Sequence, residues 1–147
     1  MIKKIAIWFL CLSVLFGQFS MAEEKFLSLK KSKVNVRYGP SFDSKIKYIY
    51  KKINLPIKQI DQKENFRRIV DLKNNSGWIH ISQVKKSNSI IILEDKILYK
   101  KPSNFSKPIA KLEKGRLLIL KKCENIWCNV KTEDYSGWVK TENIWGS

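Results

Sequence analysis

The sequence predicts an all-β protein made of two small β-barrels in tandem behind an N-terminal leader. Three observations predict it. The chain opens on an apolar run with a positive start, it continues as short apolar segments divided by turn residues, and those segments repeat in the same order after about sixty positions.

The leader comes first. Met1, Ile2, Lys3 and Lys4 form a short positive start, residues 5–16 are almost wholly apolar, and Ser20-Met21-Ala22 offers small residues where a signal peptidase reads them. Glu23 and Glu24 then open a polar chain. Residues 1–22 are therefore expected to be a signal peptide. The other reading is an uncleaved anchor. Against it, the apolar run falls short of the ~20 residues a bilayer needs, and Gly17, Gln18 and Ser20 break its end. Cys11 lies inside the run and not at its end, which argues against a lipid-anchored cysteine. The expected location is periplasmic or secreted, with no transmembrane segment after cleavage.

From residue 34 onward, apolar segments at 34–36, 46–49, 56–60, 66–70 and 78–81 alternate with turn residues: Gly39-Pro40, Asn54, 61–65 and 74–77. Strands of about five residues at this spacing make a barrel or sandwich. No useful window holds the helical period. Pro56 stands inside a strand-like run, which places it at an edge or a strand start.

The same landmarks then return. Val36-Arg37-Tyr38-Gly39-Pro40-Ser41 is answered by Leu98-Tyr99-Lys100-Lys101-Pro102-Ser103, and Asn54-Leu55-Pro56-Ile57 by Gly115-Arg116-Leu117-Leu118. Glu64-Asn65-Phe66 is answered by Glu124-Asn125-Ile126-Trp127, and Gly77-Trp78-Ile79 by Gly137-Trp138-Val139. Four landmarks in order mark a duplicated unit. In each unit an aromatic three positions before an aliphatic (Phe66 and Ile69, Trp127 and Val130) is expected to start a strand packed on the core. Each Gly-Trp pair is read as structural: the glycine permits a positive φ or a bulge, and the tryptophan buries a large apolar area.

These motifs resemble the bacterial SH3-like (SH3b) family, whose pattern is an opening Val-Asn-Val-Arg-x-Gly-Pro-Ser, a middle Gly-x-x-Val segment and a closing Gly-Trp-Val. Val34-Asn35-Val36-Arg37-Tyr38-Gly39-Pro40-Ser41 matches the opening, and the two Gly-Trp pairs match the close. The second copy departs at Leu98-Tyr99-Lys100-Lys101. The similarity extends to a subgroup of short exported proteins with two such domains, through Phe26-Leu27-Ser28-Leu29-Lys30, the cysteines around Trp127 and the ending Ile144-Trp145-Gly146. It implies SH3-like domains at residues 23–86 and 87–147, each a small, partly open barrel. Members are often wall-directed or protein-binding modules, and fold alone does not choose between those roles.

The formal charge is +16, and losing Lys3 and Lys4 with the leader lowers it to +14. Such a balance draws anionic partners. Export removes nucleic acid from that list and leaves peptidoglycan, another acidic envelope polymer, lipid head groups or an acidic protein surface. A compositional origin stands beside this, since the lysines are scattered without a run longer than two. Within the first copy Arg37, Tyr38, Tyr48, Tyr50, Arg67 and Arg68 are the candidate binding residues, because recognition surfaces enrich arginine and tyrosine. The competing reading is a solvated strand face with Arg37 bracing the barrel.

Cys123 and Cys128 survive cleavage, and an even number in an exported chain reads as a disulfide. A redox role is the lesser reading, and the pair is no Cys-x-x-Cys motif. A metal site would need four ligands, and His80 is the only histidine. No metal or cofactor is expected. Cysteine catalysis needs a thiolate paired with histidine, and no nucleophile turn, zinc His pair or Gly-rich phosphate loop is present. Glycoside cleavage would need two placed carboxylates, which 13 scattered acidic residues neither mark nor deny. His80 reads as an ordinary strand residue near Trp78. The expected function is thus a non-catalytic binding module for peptidoglycan or another acidic envelope component. The rivals are an adaptor that docks on a periplasmic protein and, least favoured, a secreted hydrolase. The polar stretch 85–89 suits either a hinge or a fixed angle between the copies.

Overall fold

A computed structural model describes residues 25–146; the leader expected at residues 1–22 lies outside the described residues. The first copy contains β1 (Lys25–Leu29), β2 (Val34–Arg37), β3 (Ile46–Tyr50), β4 (Pro56–Lys63), β5 (Phe66–Val70), β6 (Ser76–His80), a 3-10 turn (Ile81–Gln83) and β7 (Val84–Lys86). The second contains β8 (Ser89–Ile92), β9 (Lys96–Tyr99), β10 (Pro108–Leu112), β11 (Leu117–Glu124), β12 (Trp127–Lys131), β13 (Ser136–Lys140) and β14 (Ile144–Trp145). Among the described residues no helix is long and apolar enough to cross a membrane.

The two sheets have one topology. Their orders are β3-β2-β6-β5-β4-β1-β7 and β10-β9-β13-β12-β11-β8-β14, so each strand of the second sits where its counterpart sits in the first. All pairings are antiparallel, and the long hairpin carries a register shift at the same place in both copies, between Gln59 and Asp61 and between Leu120 and Lys122. A bulge there bends the strand and lets a short sheet curl. The duplication read from the landmarks is a duplication of fold.

Strand alternation delivers one apolar set to each interior. Leu29, Val34, Val36, Ile57, Ile69 and Ile79 fill the first barrel. Ile90, Ile92, Leu98, Leu112, Leu118, Cys128, Val130 and Val139 fill the second.

Three sequence readings need correction. Gly77 and Gly137 do not take a positive φ, which belongs to Gly115 and Gly146. They are small because the neighbouring strand presses on them. A Cβ on Gly77 would run into Val36 Cγ1 and stand 3.0 Å from Arg37 O, and one on Gly137 would stand 2.6 Å from Tyr99 O. Trp78 and Trp138 are only half-buried and face away from the core, since the inward positions beside them are the glycine and Ile79 or Val139. Phe66 and Trp127 also lie outside the core clusters. Three positions along a strand reverse the face, so Phe66 is buried on the outside, beneath Phe42 and His80. Pro56 does start a strand, but β4 is interior to its sheet and not at an edge.

The barrels are held against each other by contacts that the stretch 85–89 only begins. Ser28 and Ser89 are fully buried and share a hydrogen bond of 2.7 Å. Ser89 Oγ also donates to Asn54 O, and Asn88 N–H donates to Ser28 Oγ. The indole Nε1 of Trp145 donates to Pro56 O at 3.0 Å while its ring meets Phe26 edge-on at 5.0 Å. Ser87 Oγ donates to Gly146 O at 2.6 Å. Of the two expectations for the linker, a fixed angle is the one found.

Candidate binding face of the first barrel

Register brings Arg37, Trp78 and Arg68 into one row. Trp78 on β6 is paired with Arg37 on β2 to one side and with Arg68 on β5 to the other. Directly opposed residues share a face, so an indole lies between two guanidinium groups on the outside of the sheet. A shallow depression of about 230 Å³ follows this row and takes in Tyr38, Lys47 and Ser76. Tyr38 is 66% exposed. Lys47 Nζ stands 5.6 Å from the Tyr38 ring and donates to Ser76 O, which holds the ammonium beside the aromatic face.

Arg37 has two duties. Its NH1 donates to Phe42 O at 3.1 Å and Ser44 O at 2.9 Å, and its guanidinium sits 5.6 Å from the Phe42 ring. That holds the loop 38–45 against the barrel. A guanidinium has five N–H donors, so the bracing and a ligand contact are compatible.

Of the six candidates from the sequence, Arg37, Tyr38 and Arg68 meet in this depression. The others are placed elsewhere. Arg67 turns back on its own hairpin, with NH1 donating to Glu64 O and Phe66 O. The hydroxyls of Tyr48 and Tyr50 are 3.2 Å apart, and Tyr50 donates to Asp71 Oδ2 at 2.9 Å. Both rings pack on the first core. Burial is the main cause that pushes both phenols above the usual tyrosine range, so both stay neutral. Asp71 Oδ1 in turn accepts from the backbone of Lys73 and Asn75, which shapes the turn before β6. His80 shares a hydrogen bond of 2.8 Å with Ser82 Oγ and packs between Phe42 and Phe66.

Sequence reasoning missed Trp78 and Lys47 as members of this face. The signal for Trp78 was present: alternation puts it opposite Ile79. Lys47 carried no such signal among the many lysines.

The second copy presents a different row. Trp138 is flanked by Tyr99 and Asn129, so both arginine positions are occupied by uncharged residues. Lys122 Nζ lies 5.5 Å from the Trp138 ring. The two barrels share a fold and differ in surface chemistry.

Cys123 and Cys128 stand opposite each other on β11 and β12 and are joined as a disulfide. Among the described residues no three His, Cys, Asp or Glu side chains gather as a metal set.

The model of the bacterial SH3 domain matches residues 30–86 and again residues 95–146. The chain belongs to the bacterial SH3 domain family. Each match takes in six of the seven strands of one sheet, leaving out β1 in the first and β8 in the second, so the protein is a bacterial SH3 pair. Similar solved structures include NlpC2 and NlpC1 from Trichomonas vaginalis, each 10% identical and covering 85% of this chain. The TM-scores are 0.39 and 0.37, and the matches take in 49% and 46% of those proteins. The chain spans about half their length. No curated protein matches it in sequence.

Proposed function

We propose that this bacterial SH3 pair is an exported, non-catalytic binding module that engages peptidoglycan or another acidic component of the cell envelope. The observation that carries the reading is the row Arg37–Trp78–Arg68 with Tyr38 and Lys47 beside it. Three cations surround two aromatic rings, Tyr38 exposed and Trp78 half-buried. A guanidinium takes a carboxylate or phosphate through paired hydrogen bonds, and an aromatic ring covers the apolar side of the group that bears it. The face belongs to the first barrel alone, because Tyr99 and Asn129 replace the two arginines in the second.

Co-sedimentation of the purified protein with isolated sacculi tests this at low salt and at about 150 mM, where charges beyond about 8 Å are screened. Retention at the higher salt is expected. Arg68→Ala and Trp78→Ala should each weaken it about tenfold or more, the loss typical of a central interface residue. Arg67→Ala should leave it within about twofold, because that side chain is engaged with its own hairpin. Equal pelleting by all three variants would remove the site, and no pelleting at either salt would remove the function.

A further inference from the structure

A second surface lies in the groove between the barrels, about 750 Å³ in volume and remote in sequence from the row around Trp78. Lys51 and Lys52, on the connection from β3 to β4, form one wall, and Arg116 and Lys131 of the second barrel form the other. One carboxylate, Glu133, lies among them. Among the described residues none of these four cations enters an ion pair. The groove between the walls is aliphatic: Ile53 is 49% exposed, and Leu117 and Ile119 are half-buried.

We infer that this groove receives a segment of a protein partner in which acidic and aliphatic residues alternate. The chemistry of the lining selects that occupant. Four cations facing one carboxylate call for a ligand with several negative charges. The aliphatic floor calls for apolar side chains, which a bare polyanion would leave uncovered. No aromatic ring lines the groove, so there is no platform for stacking a base or a sugar ring. A peptide with carboxylates toward the walls and Leu or Ile toward the floor meets both demands. The site is also preformed, because the Ser28–Ser89 and Trp145–Pro56 hydrogen bonds hold the two walls in place. Less ordering is then left to be done on binding.

The inference goes beyond the envelope reading and concerns different residues. Its test is fluorescence anisotropy of a labelled hexapeptide alternating Glu or Asp with Leu or Ile, titrated with the purified protein at about 150 mM salt. Saturable binding is expected, weakened about tenfold or more by Lys51→Glu with Arg116→Glu, which reverses one cation on each wall. Ile53→Ser should weaken it several-fold, and being on an exposed residue it spares the cores. Lys45→Glu with Lys107→Glu makes the same change in net charge outside the groove and should leave affinity within about twofold. The inference is overturned by no binding of the hexapeptide, by equal binding of a polyglutamate of equal charge, or by equal losses in the two charge-reversed pairs. Sacculi take no part in this assay, so failure here leaves the envelope reading standing.

Discussion

Gly77 and Trp78 are neighbours with opposite tasks. The glycine lies beneath β2, where Val36 and the carbonyl of Arg37 occupy the space a Cβ would need. The tryptophan turns outward and spaces two arginines. Gly77→Ala should therefore cost about 1–3 kcal/mol, the usual range for overpacking, and thermal unfolding will show it as a lowered midpoint. An unchanged midpoint would mean that β2 and β6 can separate freely. Trp78→Ala should by contrast act mainly on binding, because the indole lies outside the core, between the two arginines.

At the scale of the element, the two long hairpins are closed by different means. In the first barrel Phe42, Phe66 and His80 stack over the outside of the β4–β5 hairpin. In the second barrel the stack is thinner. Trp127 takes the place of Phe66 and meets Tyr99 edge-on and Lys140 Nζ at 5.9 Å, while Phe105 is left fully exposed in its loop. The disulfide sits on this second hairpin, at the positions held by the opposed pair Gln62 and Arg67 in the first. A covalent bridge does there what aromatic cover does in the other copy. Replacing both cysteines by serine should cost at least about 2 kcal/mol, the chain-entropy estimate for so short a ring, and the hydroxyl placed at the buried Cys128 position adds to it. Hydrogen exchange should quicken first near residues 121–129, and uniform quickening over both barrels would contradict a local role.

At the scale of the whole molecule, the joint between the barrels decides how they behave. Phe26, Asn54 and Pro56 of the first barrel meet Ser89, Trp145 and Gly146 of the second. Gly146, at a φ of 126°, leaves no space for a side chain between Ser89 O and Pro56. A joint of buried hydrogen bonds and an edge-to-face aromatic pair couples the two unfolding equilibria. The native protein should melt in one calorimetric transition. Trp145→Ala removes both the ring contact and the indole hydrogen bond, together about 2 kcal/mol, and should split that transition into two. A single transition in the variant would show that the remaining serine contacts suffice.

The residues alone determined the strand pattern and the duplication, because both depend on short-range order: short apolar segments alternate with turn residues, and Pro40 and Pro102 mark the same turn twice. The cores were read only in part, since Ile69 and Val130 lie in them while Phe66, Trp127, Trp78 and Trp138 do not. They also marked Cys123 and Cys128 as partners, since opposed positions of a hairpin are set by its turn. What they left undivided was the list of six candidate binders. Arg37 and Arg68 join through β6, and the irregular register between Val36 and Arg37 helps place them, whereas Arg67, one position away, is carried to another surface. Trp78 was legible as outward by its alternation with Ile79, but its arginine neighbours were not. The joint and the groove were beyond reach for the same reason. Ser28, Asn54, Ser89 and Trp145 are ordinary residues far apart in the chain, and only the docking of one barrel on the other joins them and lines up Lys51 and Lys52 across from Arg116 and Lys131.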